Sequence, residues 1–594
     1  MGKVLSYAKY FALLLAFAFY VFCFEPFGVA ELAYVFGAIL YVLAKNGGFS
    51  FKRWAIFSFL FAWLAWGGIL AWLRFVYPPA GIFFAVVLSA IMALFFFVWL
   101  VALKKFVPSS EAPFFRRFGA ILFLASLWVA LEWIRSFIFT GFPWLLLAHS
   151  QWQRPAIIQI ASIGGAYMVS FVLIFFNLGL GEYVCKLWAW HKKRIAGEHV
   201  TKFERFAPEF YFAAFLVLLS LYAYIADMPR LENKRKLFRA GMVQTDFAGL
   251  LNWNADMGVE NLNALKKMSL GLKNARVDLL VWSESAMPPM WPLIGTEGLD
   301  LWVENLSRQM NVPILVGDSA YIRDGEGERR FNAAFVVTPD EGLNRNFYAK
   351  QKLVPFGEYV PKWCFFIDSS LVPVGRMTPG SGPVLLEAKV AQKNFKFAPI
   401  ICYEDIFPQI ALEAARAGAD ILYVCTNDSW YGREGGAWQH AAHSAFQAVA
   451  TRKPLVRASV NGLSGVFDQY GRLVPTIAMR SKDGGIFNAK NEPDDVLDLS
   501  DEYGQAISPR TFARLRGCPL LNDEGSIYFQ GAGYADVVAY SNFDGVVSFY
   551  VRYGDWFAKA CVFYCLLFYF VSRLFPICKL KFLRQGREVR ACKI

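Results

Sequence analysis

The chain has 594 residues, of which 56% are hydrophobic and only 18% are charged, a balance that is unusual for a soluble protein. The formal net charge of +13 comes largely from lysine and arginine in short loops between apolar runs, and this distribution argues against nucleic-acid binding. Ten cysteines are scattered without a zinc-site spacing or a dense disulfide framework. We therefore expect a membrane protein with one water-facing domain, no metal and no cofactor.

Apolar runs predict eight membrane helices, since a bilayer crossing takes about 20 mostly apolar residues. The runs are residues 7–24, 28–44, 54–76, 80–103, 118–138, 157–182, 209–226 and 557–576. The first lacks a small-residue cleavage site and another run follows almost at once, so we interpret it as a helix rather than a signal peptide. The expected domains are a seven-helix bundle at 1–230, a catalytic domain at 231–550, and a last helix with a basic tail at 551–594.

Positive residues flank alternate helices and define one side of the membrane. They are Lys3, Lys9, Lys45, Lys52, Arg53, Lys104, Lys105, Arg116, Arg117, Lys186, Lys192, Lys193 and Arg194. Because lysine and arginine are enriched in cytoplasmic loops, this side is predicted to be cytoplasmic. Residues 231–550 then lie on the outer face of the cytoplasmic membrane.

The fifth apolar run carries Glu132 and Arg135, which lie on neighbouring faces of a helix. Ionisable groups in membrane segments usually face a bundle interior. A functional lining and a structural ion pair both fit this pattern.

From about residue 238, short strand-like runs alternate with helical ones, which predicts an α/β domain. The strand-like runs include 276–282, 312–317, 395–402 and 420–426. In such folds ligands gather beyond the carboxyl ends of strands, and Glu284 and Cys402 have that position. Residues 482–545 are predicted to be an irregular insertion.

Three residue types near strand ends suggest covalent acyl chemistry. Cys402 supplies a thiol, Glu284 a carboxylate that can take its proton, and Lys350 an amine that can stabilise a thiolate and an oxyanion. His440 and His443 lie in a helical stretch and are interpreted as ordinary surface residues, which weakly favours the carboxylate as base.

Each residue alone also has a structural interpretation. A lone cysteine at the end of an apolar strand is usually a small buried residue; Glu284 fits an ion pair and Lys350 a solvated charge. Spacing alone does not show that the three converge.

The motifs together resemble the apolipoprotein N-acyltransferase family of the nitrilase superfamily. They are Trp282–Glu284, Tyr348–Lys350 with Leu353–Glu358, Cys402–Glu404, Leu131–Arg135, Gly141–Trp144 and Tyr553–Trp556. The resemblance spans nearly the whole chain. It implies a nitrilase-like αββα sandwich in the periplasm on an eight-helix bundle in the bacterial inner membrane.

The resemblance also implies roles for individual residues. Glu284 is expected to be the general base, Lys350 the oxyanion stabiliser and Cys402 the nucleophile. Glu358 is expected to order the lysine and the acyl carbonyl. The family also needs the positions of Tyr403 and Glu404, and two tryptophans, Trp253 and Trp430, match family residues near the substrate.

The sequence departs from the family pattern next to the catalytic lysine. The family usually has histidine where this chain has Lys352. Residues 350 and 352 of a strand point to the same side, so geometry leaves the two amines open, whereas the family register selects Lys350.

The implied reaction moves an acyl chain from a phospholipid, with phosphatidylethanolamine expected, through a Cys402 thioester to the α-amine of diacylglyceryl-cysteine in an apolipoprotein. Two apolar stretches, Pro288–Pro292 and Trp363–Ile367, are expected to be mobile arms that touch the bilayer, the alternative being packing on the sheet. A monomer is expected. The rival interpretations are a membrane-tethered nitrilase-like amidase or hydrolase, a transporter with an extra domain, and an inactive lipoprotein-binding platform.

Overall fold

The computed structural model describes residues 2–76, 80–109, 111–227, 233–247, 253–325, 327–364, 376–496, 518–540 and 547–572. The first 227 residues are helical, and two β-sheets follow. A helix returns at the end of the described chain.

Helices form in every one of the eight predicted apolar runs. In the N-terminal region they are α1 (Gly2–Phe22), α2 (Phe36–Asn46), α3 (Phe51–Ile69), α4 (Ala80–Phe106), α5 (Phe114–Ile134), α6 (Pro155–Ile158), α7 (Ala161–Ile195) and α8 (Pro208–Ala226). Within the described ranges, four helices are long and apolar enough to cross a membrane, namely α4, α5, α7 and α8. Shorter apolar stretches are found at Tyr7–Phe22 and Trp556–Ser572.

The outer face of the bundle is apolar and exposed. On α8, for example, Phe215, Leu218 and Tyr222 are 55%, 61% and 68% exposed. Large contiguous apolar surfaces of this kind are rare on soluble monomers and mark contact with a membrane or a partner. The helices thus provide a surface suited to lipid.

The second part is a four-layer αββα sandwich. One sheet has the order β13-β14-β1-β2-β3-β4-β5, with β6 paired to β4, and the other has the order β12-β11-β10-β9-β8-β7. The strands are β1 (Arg235–Gln244), β2 (Leu279–Val281), β3 (Ile314–Asp324), β4 (Gly327–Thr338), β5 (Gly342–Leu343), β6 (Tyr348–Ala349), β7 (Leu386–Val390), β8 (Lys393–Ile401), β9 (Ile421–Thr426), β10 (Leu455–Ser459), β11 (Gly465–Phe467), β12 (Leu473–Val474), β13 (Ile477–Ala478) and β14 (Gly531–Ala539). The inner faces of the sheets form one apolar core.

Helices cover both outer faces of the sandwich. They are α9 (Ala255–Gly271), α10 (Leu299–Met310), α11 (Pro408–Arg416) and α12 (Gly435–Thr451), and the short α13 (Phe549–Tyr553) precedes α14 (Trp556–Ser572). Helices α9 and α10 pack on the first sheet. Helices α11 and α12 share one apolar core with the second sheet and the membrane bundle, so this layer attaches the sandwich to the helices.

The prediction of an irregular insertion at 482–545 is wrong for the later part of this range. Residues 531–539 form β14, which pairs antiparallel with β1 from Arg235↔Ala539 to Gln244↔Gly531. The glycines that suggested a loop lie where neighbours come close: a Cβ at Gly533 would lie 2.3 Å from Leu520 Cδ1. Residues 497–517 and 541–546 of the insertion lie outside the described residues.

Candidate active site

The three predicted reactive residues follow the ends of strands on facing sheets. Glu284 comes three residues after β2, Lys350 directly after β6, and Cys402 directly after β8. Strand β3 approaches Glu284 closely because Gly317 has no side chain: a Cβ there would lie 2.6 Å from Ser283 O and 2.9 Å from Glu284 Cα. Cys402 itself has φ +50°, a left-handed backbone conformation that is uncommon for a residue other than glycine.

Lys350 lies between two carboxylates. Its Nζ is 2.9 Å from Oε1 of Glu358 and 3.3 Å from Oε1 of Glu284. All three side chains are at least 93% buried, with exposed fractions of 1%, 6% and 7% for Lys350, Glu358 and Glu284. A buried lysine requires such partners, since an unpaired charge in the interior is costly.

Hydrogen bonds from neighbouring groups orient both carboxylates. The side-chain amide of Asn332 donates to Oε1 of Glu284 at 2.8 Å and to Oε1 of Glu358 at 2.9 Å. The backbone N–H of Asn427 donates to Oε2 of Glu284 at 2.9 Å, and that of Val354 donates to Oε2 of Glu358 at 2.7 Å. Asn332, on β4, belongs to no recognised motif, so the sequence alone does not identify it.

The charges of this cluster set the protonation of its members. Burial by itself would lower the pKa of Lys350, but Glu358 and Glu284 outweigh it and raise the pKa well above its ordinary value. Burial raises the pKa of the Cys402 thiol, Glu284 raises it further, and Lys350 opposes both. Near neutral pH the cluster therefore holds an ammonium and a protonated thiol, and the thiol needs a base to become a nucleophile.

Glu404 connects the lysine segment to the cysteine segment. Its carboxylate accepts from the backbone N–H groups of Gln351 at 2.6 Å, Lys352 at 3.1 Å and Ile401 at 2.8 Å. The hydroxyl of Tyr348 donates to it at 2.9 Å. Burial raises the pKa of Glu404 to about 7, against the effect of these donors. Glu404 thus fixes the backbone beside Lys350 and beside Cys402.

Tyr403 links the site to the membrane bundle. Its hydroxyl donates to the carbonyl of Gly141 at 3.0 Å, in the loop between α5 and α6. Its ring packs edge-on against Phe407 at 5.2 Å. The residue after Cys402 therefore binds a loop at one end of the membrane helices.

The two lysines occupy different environments. Strand β6 ends at Ala349, so the alternation of a strand no longer applies beyond it. Lys350 is 1% exposed and ion-paired, whereas Lys352 is exposed with its Nζ 5.7 Å from the ring centre of Phe407. Only the first amine lies in the carboxylate cluster.

The two predicted substrate tryptophans are both partly buried. Trp253 stacks on Phe247 with ring centres 5.7 Å apart. Trp430 packs partly buried against the core that the second sheet shares with the bundle. Among the described residues neither indole hydrogen-bonds to Glu284, Lys350 or Cys402.

The interpretation of His440 and His443 as surface residues is wrong. The first is 0% and the second 2% exposed. Helix α12 lies between the second sheet and the bundle, so both of its long faces are covered. In the structure 16 of the 17 residues of this helix are buried. The signal in the sequence is the presence of small residues on every side of the helix, with no polar face.

Glu132 and Arg135 hold the chain that follows Trp144. Oε1 of Glu132 accepts from the backbone N–H of Leu147 at 2.7 Å and from the indole of Trp128 at 2.9 Å. Arg135 donates to the carbonyl of Leu145 at 2.8 Å. These contacts are structural, but they are not the expected ion pair: among the described residues no ion pair joins Glu132 to Arg135, and Oε2 of Glu132 and Nε of Arg135 have no hydrogen-bond partner.

The first predicted arm packs in part on the sandwich. A Cβ at Gly258 of α9 would lie 2.8 Å from the Trp291 ring, while Met290 is 41% exposed. The second arm reaches residues 365–367, which lie outside the described residues.

The fold and the site define a membrane protein with a nitrilase-type αββα domain. The N-terminal domain model of apolipoprotein N-acyltransferase matches residues 16–179, and the carbon-nitrogen hydrolase model matches residues 239–484. The apolipoprotein N-acyltransferase of Geobacter metallireducens is 28% identical over 458 residues, 75% of this chain and 82% of its own length. That of Pseudomonas aeruginosa is 30% identical over 60% of this chain and 66% of its own length. The chain belongs to the apolipoprotein N-acyltransferase family.

Among solved structures, an amidase from Nesterenkonia sp. aligns with 54% of this chain and 93% of its own, at 14% identity and a TM-score of 0.32.

Proposed function

We propose that this protein transfers an acyl chain from a membrane phospholipid to the α-amine of diacylglyceryl-cysteine at the N-terminus of an apolipoprotein, with Cys402 carrying the chain as a thioester. Family membership supports the reaction. The observation that carries the mechanism is the buried contact of Lys350 with Glu284 and Glu358, at 3.3 and 2.9 Å, at the strand ends where Cys402 also lies.

In the first half-reaction Glu284 takes the thiol proton while Sγ attacks the ester carbonyl carbon of the phospholipid. The ammonium of Lys350 stabilises the oxyanion, and Glu358 holds that ammonium in place. The ester C–O bond then breaks and Glu284 returns the proton to the glycerol oxygen. The products are a thioester and a lysophospholipid.

In the second half-reaction the neutral α-amine attacks the thioester carbonyl, and Glu284 takes a proton from the nitrogen. The C–S bond breaks and the sulfur recovers the proton. Phosphatidylethanolamine is the proposed donor, and both substrates are anchored in lipid. A soluble enzyme would have to extract them at about 0.8 kcal/mol per exposed methylene, which favours a catalyst that rests on a bundle.

The proposed location is the bacterial inner membrane, with the catalytic sandwich in the periplasm and the protein acting as a monomer. The positive loops on one side of the predicted helices support this orientation. The contact of Tyr403 with Gly141 supports a site at the level of the lipid headgroups. The roles of Trp253 and Trp430 in substrate binding remain part of the proposal.

The test uses purified full-length protein in detergent–phospholipid micelles with a diacylated lipopeptide, and mass spectrometry of the product. The triacylated peptide and lysophospholipid are expected from the parent protein and from Cys518→Ala, which alters a cysteine outside the site. Cys402→Ala and Cys402→Ser are expected to give neither product. Free fatty acid in place of triacylated peptide would indicate the rival membrane-tethered hydrolase.

A further inference from the structure

Behind Cys402 lies a group of buried polar side chains to which the proposed reaction gives no role. It consists of His440 on α12, Asp428 after β9, and Arg457 on β10, and all three are 0% exposed. Burying so many ionisable groups is costly unless each is hydrogen-bonded. The position of the group behind the nucleophile suggests what it does.

The two ring nitrogens of His440 face two acceptors. Nε2 lies 3.1 Å from the carbonyl oxygen of Cys402, and Nδ1 lies 2.8 Å from Oδ1 of Asp428. A backbone carbonyl oxygen can only accept a hydrogen bond, and an ionised carboxylate is likewise an acceptor only. Burial by itself would raise the pKa of Asp428, but Arg457 and His440 outweigh it and hold the pKa below its ordinary value. Because the Cys402 carbonyl can only accept, Nε2 carries a hydrogen and donates it to that carbonyl.

Arg457 and two aromatic rings are the other neighbours of the His440 ring. Arg457 donates to Oδ2 of Asp428 at 2.8 Å, and the same Nη2 lies 3.0 Å from Nδ1 of His440. A guanidinium can only donate, so Asp428 accepts from Arg457, and both residues hold the Nδ1 side of the ring. The rings of Trp144 and Tyr431 flank the imidazole at 5.6 Å each, and Trp144 lies nearly parallel to it, at 19°.

A second carboxylate anchors the far side of Arg457. Nη1 of Arg457 donates to Oδ2 of Asp405 at 2.8 Å, and Ser444 of α12 donates to the same oxygen. Asp405 lies three residues after the nucleophile. The guanidinium therefore joins the turn that contains Cys402, strand β10 and helix α12 in one rigid unit.

The backbone of Cys402 is the part that needs this support. Its φ of +50° is a conformation that non-glycine residues keep only where the surroundings hold it. We propose that His440, fixed by Asp428 and Arg457, is a positioning residue that holds the Cys402 carbonyl and so aims the thiol at the acyl ester. This inference rests on the proposed function of Cys402 as nucleophile.

Three variants on one helix test the inference. His440→Phe fills a similar volume without a donor, whereas His440→Gln keeps an N–H donor. His443→Phe is the matched control: it lies one turn further along α12, is 2% exposed, and its Nε2 has no hydrogen-bond partner among the described residues. Its pKa lies well below the ordinary value because of burial, so it is neutral.

The readout is single-turnover formation of the acyl-enzyme from phosphatidylethanolamine in mixed micelles, followed by mass spectrometry of the Cys402 peptide. For His440→Phe we expect the rate constant to fall roughly 100-fold with an unchanged half-saturating lipid concentration, since misplacing a reacting atom by about 1 Å costs that much. His440→Gln recovers most of the loss, and His443→Phe acylates like the parent. Melting temperatures measured alongside report folding.

Two results would overturn the inference. One is acylation of His440→Phe at the parental rate. The other is an equal loss in His440→Phe, His440→Gln and His443→Phe together with a lower melting temperature, which is the pattern of a packing defect. Cys402→Ala separates the two proposals: if it still forms the triacylated product, the proposed function fails, and if it is inactive while His440→Phe is unimpaired, only the role of His440 fails.

Discussion

Lys350 is held more closely by Glu358, at 2.9 Å, than by Glu284, at 3.3 Å. Glu358 also accepts from the backbone N–H of Val354 at 2.7 Å, so it is fixed at both oxygens. In the proposed mechanism the lysine stays charged and stationary while Glu284 exchanges protons with the substrates. Glu284, the proposed base, is likewise held at both oxygens, by Asn332 and the backbone N–H of Asn427, and has the longer contact with the lysine.

The choice of Lys350 over Lys352 as the residue that stabilises the oxyanion is testable by replacing each lysine in turn. We expect Lys350→Met to lower acyl transfer by about 10²- to 10³-fold, the usual effect of removing an oxyanion donor. Lys352→Met, at the exposed neighbouring amine, is the control and is expected to stay within a few fold of the parent. Equal losses in the two variants, measured as initial rates of triacylated product, would contradict the assignment.

The charges around the thiol predict opposite effects of Glu284 and Lys350 on its ionisation. Because burial and Glu284 raise the pKa of Cys402 and Lys350 opposes them, Glu284→Gln lowers that pKa and Lys350→Met raises it further. Alkylation by iodoacetamide then begins at lower pH in Glu284→Gln than in the parent and at higher pH in Lys350→Met.

Glu284→Gln is nevertheless expected to lose acyl transfer, because it removes the proposed base while making the thiolate easier to form. Cys518, measured in the same samples, is an internal reference whose profile does not change. If alkylation of Cys402 instead begins at higher pH in Glu284→Gln than in the parent, Glu284 does not raise the pKa of the thiol and the prediction is wrong.

We expect that replacing the Glu404 carboxylate by an amide, in Glu404→Gln, destabilises the protein. In Glu404→Gln the new NH₂ group faces backbone N–H donors such as those of Gln351 and Ile401, and a buried donor without an acceptor costs about 1–3 kcal/mol. We expect a lower melting temperature and reduced acyl transfer. Glu387→Gln, at an exposed carboxylate on β7, is the control. If Glu404→Gln has the same melting temperature as Glu387→Gln, the hydrogen bonds that Glu404 accepts contribute little to stability.

An ionic cluster joins two helices of the membrane bundle, and removing it should lower the stability of the bundle. Glu182 of α7 is fully buried and accepts from Tyr41 of α2 at 2.7 Å, and it pairs with Lys45. Removing one partner of a buried pair usually costs about 3–5 kcal/mol, so Glu182→Ala is expected to lower the melting temperature in detergent markedly. Glu198→Ala, on the exposed segment beyond α7, should not.

The candidate site residues could be picked out from the sequence because their motifs are local. Residues such as Glu284, Lys350 and Cys402 stand at strand ends that hydrophobic patterning reveals. What escaped prediction depends on contacts between distant segments. Asn332 bridges two carboxylates across the site, and His440 is buried only because α12 lies between the sheet and the bundle.

The same reason explains the errors and the open choices. Lys350 and Lys352 were equivalent on an ideal strand, and only the early end of β6 separates them. Strand β14 looked irregular because its glycines meet neighbouring side chains and backbone rather than form turns. Glu182 was missed because its partners lie on α2, about 140 residues earlier in the chain.

The most direct measurement is to incubate the full-length protein with phosphatidylethanolamine and no acceptor, quench with acid, and identify the acylated residue by mass spectrometry. We expect an acyl chain in thioester linkage on Cys402, removed by hydroxylamine and chased onto a diacylated lipopeptide. An acyl chain on another residue, or triacylated product from Cys402→Ala, would contradict the account.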